Sequence, residues 1–387
     1  MTRRRFLAGL AAMPALALPA AARPADSLRV AQFNAALVRP GAGVLVHELA
    51  RGDPQADAVA EIVQRVRPDI LLINELDRDP DGRALALFRA RLADGLNGAA
   101  GIDYPHALQP PQNTGRPSGL DIDGDGRIAG PDDAWGYGRF HGQYAMALLS
   151  RFPVERSSLR TYRHFRWAAM PGARRPRHPD GRPFHPDAVW QRLPLSSKTH
   201  LLAPVRLHDG RRLHVLAAHP TPPVFDGPED RNGRRNADEI RLLAEILDDA
   251  PWLTDDAGRA GGLPPGAEAV VMGDLNADPA DGDGERAAIR ALLAHPRLAD
   301  PRPTSAGAAA AAGGLDPPSL SGDPARHTSA WGSAHEGHAN LRVDYVLPPA
   351  SLEVVDHGVF WPAPGDPLHR LVAGPAHRPA SSDHRLV

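Results

Sequence analysis

The chain has 387 residues, and its 44 lysines and arginines nearly balance its 46 acidic residues, which gives a formal net charge of −2. This balance gives no support for strong sequence-independent binding to nucleic acid, although a local basic patch would suffice for a nuclease. The sequence has no cysteine, which excludes disulfides, a thiolate zinc site and a cysteine nucleophile.

The first 22 residues have the pattern of a twin-arginine export signal. Residues 3–7 read Arg-Arg-Arg-Phe-Leu, an apolar stretch covers 8–18, and three alanines at 20–22 suit cleavage. The apolar stretch is too short, and too interrupted by proline, for a membrane span. We therefore expect a periplasmic or secreted protein without a stable membrane anchor, and a monomer. A disordered basic tail is the alternative.

Apolar runs typical of buried strands alternate with amphipathic segments typical of helices along the rest of the chain. Strands are predicted at 28–33, 69–75, 145–150, 199–207, 213–219, 270–274, 343–347 and 352–360, and helices at 57–67, 83–96, 236–247 and 285–293. No repeat or linker divides these elements. Residues 23–387 are therefore expected to form one layered α/β domain, with an insertion around 108–142 and a long loop at 156–193.

Polar residues stand at strand ends or in turns in every part of this pattern: Asn34, Glu75, His219, Asp274 with Asn276, Asp344, and Asp383 with His384. Each one alone has an ordinary explanation, because Asn and Asp favour turns and an acid after a strand often just meets solvent. Together they gather carboxylates, amides and two histidines where a sheet-based fold tends to collect a site. The set predicts a metal-assisted phosphoester hydrolase.

The ordered motifs resemble those of the endonuclease/exonuclease/phosphatase superfamily, which has the deoxyribonuclease-I-like fold. The matching pieces span nearly the whole chain: Gln32 to Asn34, Leu72 to Glu75, Leu149 to Pro153, Ala218 with His219, Gly273 to Asn276, Val343 to Val346, and Ser382 to His384. The resemblance implies a four-layer sandwich, in which two mixed β-sheets pack face to face with helices outside. One departure is that the chain ends three residues after His384, where the family normally continues through a final strand.

The resemblance also implies a metal site. Glu75 would be the principal ligand, Asn34 would lie beside it, and Asp383 would contribute directly or through water. A hard divalent cation, Mg²⁺ or Mn²⁺, suits these carboxylate and amide oxygens.

The same resemblance assigns five catalytic residues. Asp274 would orient or deprotonate the attacking water, and Asn276 would hold a phosphoryl oxygen. His384 would contact the scissile phosphate, with Asp344 fixing its ring and favouring the charged form. His219 would protonate the leaving oxygen. The choice of base and acid stays open, because mechanistic proposals for the family differ.

A second acidic segment, inside the 108–142 insertion, matches the EF-hand calcium-loop pattern. Its predicted ligands are Asp121, Asp123, Asp125, Arg127 through the backbone carbonyl, and Asp132 at the twelfth position. Asp replaces the usual Glu at that position, and no clear helix precedes the loop. We expect an isolated Ca²⁺ site that orders the insertion, and a solvated acidic turn is the alternative.

The substrate is left open by the sequence. The first hypothesis is an exported phosphodiesterase or nuclease, and the second is a phosphatase or phospholipase-like enzyme acting on small or lipid phosphoesters. The third is a non-catalytic, calcium-stabilised binding protein. Lys198 is the only lysine, so basic charge comes from arginines, including clusters at 174–177 and 231–235 that either bind phosphate or are solvated loop charge.

Overall fold

A computed structural model describes residues 27–312, 320–331, 340–374 and 379–387. The predicted export signal lies outside the described residues. The first sheet has four strands in the spatial order β1-β2-β4-β3, with β1 parallel to β2 and the other pairs antiparallel. Its strands are β1 (Val30–Leu37), β2 (Ile70–Leu76), β3 (His106–Leu108) and β4 (Ala147–Ser150).

The second sheet has five strands in sequential order, with β7 parallel to β8 and the other pairs antiparallel. Its strands are β5 (Arg160–Thr161), β6 (Leu201–Arg206), β7 (Arg212–Ala217), β8 (Glu268–Asp274) and β9 (Asp344–Leu347). Both sheets are mixed, as the sequence predicted.

The two sheets pack face to face through one apolar layer. Successive side chains of a strand point to opposite faces, so β2 divides its residues between two cores. Ile70 and Leu72 join Val215 and Met272 of the second sheet in the layer between the sheets. Leu71 instead packs on the opposite face, towards the helices. An uninterrupted apolar run therefore indicates a strand that is buried on both faces.

Helices cover the outer face of each sheet, which completes the predicted four layers. The helices in the described residues are α1 (Val44–Arg51), α2 (Pro54–Val66), α3 (Arg83–Asp94), α4 (Asp187–Trp190), α5 (Arg231–Leu247), α6 (Arg286–Leu293) and α7 (Ala306–Ala312). The first three pack on the first sheet, and α5 and α6 pack on the second. None of the helices in these described ranges is long and apolar enough to cross a bilayer.

Helix ends follow local chemistry that the apolar pattern does not show. Helix α2 begins three residues earlier than predicted because Asp53 caps it, accepting a 2.7 Å hydrogen bond from the Ala56 amide. The helix ends at Arg67, which adopts a left-handed conformation. Helix α5 begins at Arg231 rather than at 236, since its first turn is polar and carries no apolar signal.

The predicted strand at 352–360 is wrong. This segment has no regular structure: Val354 and Val355 are exposed, and only its last part, at Val359, is buried in the core. The end of the chain pairs with β1 instead. Gln32 and Val387 exchange two backbone hydrogen bonds of 2.9 and 3.0 Å, and the Phe360 amide donates to the Leu386 carbonyl.

Two long connections lie above the strand ends. The residues between β3 and β4 correspond to the insertion predicted around 108–142 and have no regular strand or helix. The segment predicted as a loop at 156–193 contains β5 and α4. Its Trp167 and Trp190 are buried against each other, with ring centroids 5.1 Å apart, so they pack in the core.

Candidate active site

The polar strand-end residues converge at one end of the sandwich. β1 and β2 run parallel, and their register places Asn34 opposite Asn74, beside Glu75. In the second sheet, the antiparallel register of β8 and β9 places Asp274 opposite Asp344. The two sheets therefore bring these side chains together from positions far apart in sequence.

The Asp274 carboxylate is the hub of this cluster. Its Oδ2 atom accepts a 2.9 Å hydrogen bond from Asn34 Nδ2 and lies 3.4 Å from His219 Nε2. The same oxygen lies 3.7 Å from His384 Nε2. The Nδ1 atom of His384 lies 2.9 Å from Asp344 Oδ2, so the ring sits between two buried carboxylates. The predicted catalytic residues thus form one connected network.

Constrained backbone positions this network. Asp274 Oδ1 accepts a hydrogen bond from the Asn276 amide at 2.9 Å, which turns the chain just after β8. Glu75 and Asn276 both have positive φ, at 58° and 51°, a conformation that costs energy in residues other than glycine. A Cβ atom on Gly273 would lie 2.0 Å from the Ala218 carbonyl oxygen, so only glycine lets β8 approach the His219 segment this closely.

Burial and neighbouring charges separate the two histidines. Burial, with the nearby charge of Lys198, lowers the pKa of His219 to about 4, so its ring is neutral at pH 7. Burial opposes charge on His384 as well, but the carboxylates of Asp344 and Asp274 raise its pKa well above the usual value. The site therefore contains one neutral and one charged imidazole.

Glu75 and Asp383 are the carboxylates best placed for a metal ion. Both line the same cleft. Burial, then repulsion from Asp383, raises the pKa of Glu75 to about 7. Asp274, Asp344 and His384 also have ligand atoms within 4.8 Å of one another. Since those atoms already hold each other, the carboxylates of Glu75 and Asp383 fit Mg²⁺ or Mn²⁺ better. Asn34 Oδ1 accepts a hydrogen bond from the Ala36 amide, so its second lone pair is the part of the amide left for a cation.

Two residues that hold the site together, Gln32 and Asn74, were not predicted from the sequence. Gln32 Nε2 donates to Asn74 Oδ1 at 2.8 Å and to Asp344 Oδ1 at 3.1 Å. Asn74 also accepts a hydrogen bond from the Asp274 amide at 3.2 Å. These two amides therefore link β1, β2, β8 and β9 beneath the site. Gln32 and Asn74 both lie inside the motifs that match the family. Their positions beside the predicted site residues Asn34 and Glu75 could therefore have identified them from the sequence.

The acidic loop gathers three carboxylates, but not the full predicted set. Asp121, Asp123 and Asp133 have oxygens within 4.8 Å of one another. Asp133 is buried and accepts hydrogen bonds from the Ile122 and Ala129 amides at 2.7 and 2.8 Å. The predicted twelfth-position ligand, Asp132, is exposed instead. The EF-hand pattern predicts a ligand at its twelfth position, Asp132, whereas the next residue, Asp133, belongs to the carboxylate group.

Two other predicted ligands of the loop stand outside this group. Asp125 and Arg127 are exposed, and Asp125 Oδ1 accepts a 2.7 Å hydrogen bond from the Arg127 amide. This contact is local and exposed to solvent. Of the four carboxylates predicted as loop ligands, the structure therefore groups Asp121 with Asp123. The backbone carbonyl of Arg127 stays a predicted ligand.

The catalytic network opens into a cleft of about 1020 Å³. Among the described residues that line it, nine are Asp or Glu and three are Lys or Arg. The acidic loop adjoins the cleft through Asp123 and Asp132, and the exposed ring of Phe225 lies on its wall. The lining is therefore rich in negative charge.

The arginine clusters suggested as phosphate contacts are engaged within the protein. Arg174 forms ion pairs with Asp238 and Glu285, at 2.5 and 3.0 Å. Arg231 pairs with Glu229. These contacts fix the walls of the cleft, and they leave little guanidinium free for a ligand.

The model of the Endonuclease/Exonuclease/phosphatase family matches residues 31–384. The chain belongs to this family. Family members generally hydrolyse phosphoester bonds with the help of metal ions. The match runs from β1 to His384, so it includes every strand and all the predicted catalytic residues.

Solved structures similar to this family member include an endonuclease/exonuclease/phosphatase from Beutenbergia cavernae, with 18% identity and a TM-score of 0.51 over 93% of this chain and 69% of that one. Beta toxin from Staphylococcus aureus is 12% identical, with a TM-score of 0.48 over 93% and 98%. Sphingomyelinase C from Streptomyces griseocarneus is 17% identical, with a TM-score of 0.44 over 83% and 82%. No curated protein matches the chain. The similarity to the Beutenbergia cavernae protein, at 18% identity, shows the fold alone.

Proposed function

We propose that this protein is an exported, divalent-metal-dependent phosphodiesterase. The network centred on Asp274 carries this proposal, because one carboxylate positions Asn34 and both histidines at a single point of the cleft. A binding protein without turnover has no need for so many buried polar groups in one place, since each costs free energy to bury. The connected network thus favours catalysis over the non-catalytic alternative.

Glu75, Asp383 and Asn34 would hold Mg²⁺ or Mn²⁺ in this proposal. A bound cation would neutralise the phosphoryl oxygens, which otherwise repel an incoming nucleophile. Asp274 orients a water molecule and accepts its proton as the oxygen attacks phosphorus. The bond to the leaving oxygen breaks, and this oxygen departs as an alcohol with the proton that Asp274 took from the attacking water, returned to it through solvent. The other product is a phosphomonoester.

The two histidines have different roles in the proposed reaction. His384, held charged by Asp344, places positive charge beside the phosphoryl oxygens. His219 has a neutral ring with one N–H to donate, and we assign it a hydrogen bond to the leaving oxygen. We assign Asn276, in the turn after β8, a hydrogen bond to a phosphoryl oxygen.

The charge of the cleft favours a small organic or lipid phosphoester over a polynucleotide. A nucleic-acid strand carries one negative charge for each nucleotide, and proteins normally meet it with a basic surface. Here the described cleft lining contains three times as many acidic residues as lysines and arginines. A substrate with one phosphoryl group places a single anion at the metal and avoids the acidic wall.

Export and calcium complete the proposal. We propose that residues 1–22 direct a monomeric protein to the periplasm or the medium. Replacing Arg3 and Arg4 together by lysine would then leave the chain in the cytoplasm, as cell fractionation would show. We also propose that Ca²⁺ binds the acidic loop, which the grouping of Asp121, Asp123 and Asp133 supports.

The test is hydrolysis by the purified chain after chelation and addition of Mg²⁺, Mn²⁺ or Ca²⁺. The substrates are bis-p-nitrophenyl phosphate, p-nitrophenyl phosphate, a phospholipid, duplex and single-stranded DNA, and RNA. We expect metal-dependent cleavage of the diester that is lost in His384→Ala. Activity confined to the monoester would indicate a phosphatase, and activity confined to DNA or RNA would indicate a nuclease. The absence of hydrolysis with every substrate and metal ion would contradict the proposal.

A further inference from the structure

The cleft contains a cation that the proposed function does not use. Lys198, the only lysine of the chain, lies just before β6 and lines the cleft together with Glu75 and His219. Only 7% of its surface is exposed. A lysine is rarely buried unless it is paired with an acid, because removing its charge from water costs several kcal/mol. Its position therefore needs an explanation.

The ammonium group is only partly satisfied by the protein. Within the ranges that the structure describes, its one hydrogen bond is a 3.3 Å contact with the Pro220 carbonyl, and it forms no ion pair. An ammonium has three donors, so two are left for a ligand in the cleft. The same carbonyl accepts a 3.1 Å hydrogen bond from Asn276 Nδ2. Lys198 and Asn276 thus lie side by side on the cleft wall.

If Lys198 had a purely structural role, its acidic neighbour Glu239 would need it as a partner, but this carboxylate is satisfied by other groups. That buried carboxylate accepts hydrogen bonds from the amide and hydroxyl of Ser197, at 2.7 and 2.9 Å, and from the Thr221 amide at 2.7 Å. Its oxygens are therefore satisfied by neutral donors, without Lys198. The other acids that attract the ammonium, Glu75 and Asp274, belong to the catalytic site itself.

We propose that Lys198 is a catalytic residue that binds a non-bridging oxygen of the scissile phosphoryl group, next to Asn276. The inference rests on the proposed phosphodiesterase function. Negative charge must be stabilised on the phosphoryl oxygens while the attacking water bonds to phosphorus, and fixed donors in a site that excludes water do this best. The lysine keeps its proton throughout and forms no covalent bond.

The decisive comparison is between Lys198→Met and Lys198→Arg in the metal-loaded full chain. With bis-p-nitrophenyl phosphate, we expect the methionine variant to lose about 10²- to 10³-fold in kcat, with a smaller change in KM. The arginine variant should recover part of this loss. The melting temperature of Lys198→Met should stay the same or rise, because methionine removes a buried charge that has no ion pair. A structural lysine would give the opposite result, a lower melting temperature.

Inorganic phosphate provides a readout that does not depend on turnover. Calorimetric titration of the Mg²⁺-loaded protein with phosphate should show weaker binding in Lys198→Met than in the wild type. Arg231→Met is the matched control, because it also removes one positive charge from the cleft lining. Since Arg231 is paired with Glu229, we expect its kcat to change by less than about fivefold.

The two proposals fail in different ways. Inactivity of the wild type on all substrates would overturn the phosphodiesterase function. In that case a loss of phosphate binding in Lys198→Met would still support the site. An active wild type whose Lys198→Met variant retains both kcat and phosphate affinity would overturn the role of Lys198 alone.

Discussion

The catalytic network and the acidic loop both present carboxylates to one cleft, but they are held in different ways. Asp274 and Asp344 lie buried on neighbouring strands and contact side chains hundreds of residues away, such as Asn34 and Gln32. Asp121, in the loop, accepts hydrogen bonds from the nearby backbone amides at positions 124 and 126. Long-range contacts fix both the position and the charge of a group, whereas local contacts shape only the loop. Substitutions should therefore change chemistry in the first region and local order in the second.

The largest effect should come from His384→Ala. This change removes the charged ring between Asp344 and Asp274, and we expect kcat/KM for the diester to fall about 10³-fold or more. The control is Asp125→Ala in the acidic loop, which removes a carboxylate from a local contact and should leave kcat/KM unchanged. Comparable losses in the two variants would show that the regions do not differ as described.

Asp344→Asn should have the next largest effect. The amide keeps the shape of the side chain but removes the charge that holds His384 in its charged form, so we expect kcat to fall about 10²-fold or more. Steady-state kinetics at pH 7 would measure this loss, and circular dichroism would confirm that the variant is folded. Activity equal to the wild type would mean that His384 does not act as a cation.

The sequence predicts the catalytic network better than the loop for a physical reason. Asn34, Glu75 and Asp274 each end an apolar run, so the same pattern that identifies a buried strand also marks its functional end. The individual strands and helices follow from these apolar runs and amphipathic segments, whereas their arrangement as two mixed sheets was implied by the family resemblance. No apolar strand flanks the acidic loop, so its ligands could be predicted only by counting positions of the EF-hand pattern. The twelfth position of that pattern is Asp132, whereas the carboxylate group contains Asp133.

Other features depend on contacts that no local pattern encodes. Lys198 precedes β6 without a motif, and its role becomes visible only when folding places it beside Asn276 and Pro220. The segment 352–360 shows the converse: its apolar residues suggested a strand, but Val355 is exposed. Burial is decided by tertiary packing, which a short stretch of sequence does not determine.

Gly273→Ala tests how rigidly the network is held. The added methyl group would lie 2.0 Å from the Ala218 carbonyl oxygen, so the strands must separate, and we expect about 1–3 kcal/mol of lost unfolding free energy. Urea denaturation would measure this. Gly358→Ala is the control, because a Cβ atom there meets nothing within 4 Å. Equal stability of the two variants would show that the close approach of β8 to the His219 segment is not required.

His185 lies on the cleft wall and gives a pH test of a smaller effect. Burial, reinforced by the nearby positive charge of Arg235 and Arg231, lowers its pKa to about 4. The unfolded chain binds a proton near pH 6.5 and the folded chain does not, so the stability due to this residue is lost as pH falls from about 6.5 to 4. His185→Gln should therefore show a shallower fall in melting temperature between pH 7.5 and 4.5. An unchanged slope would contradict this assignment.

The smallest effect should come from the acidic loop, and it separates two adjacent residues. With Ca²⁺ a few-fold above its dissociation constant, binding should stabilise the wild type by about 1 kcal/mol, seen as a higher melting temperature that chelation reverses. Asp133→Asn should abolish this shift, because Asp133 completes the carboxylate group with Asp121 and Asp123. Asp132→Asn should retain it, since Asp132 is exposed outside that group. If Asp132→Asn abolished the shift and Asp133→Asn retained it, the ligand would be Asp132, as the EF-hand spacing predicts. If Ca²⁺ raised the melting temperature of neither the wild type nor the variants, the loop would be a solvated acidic turn.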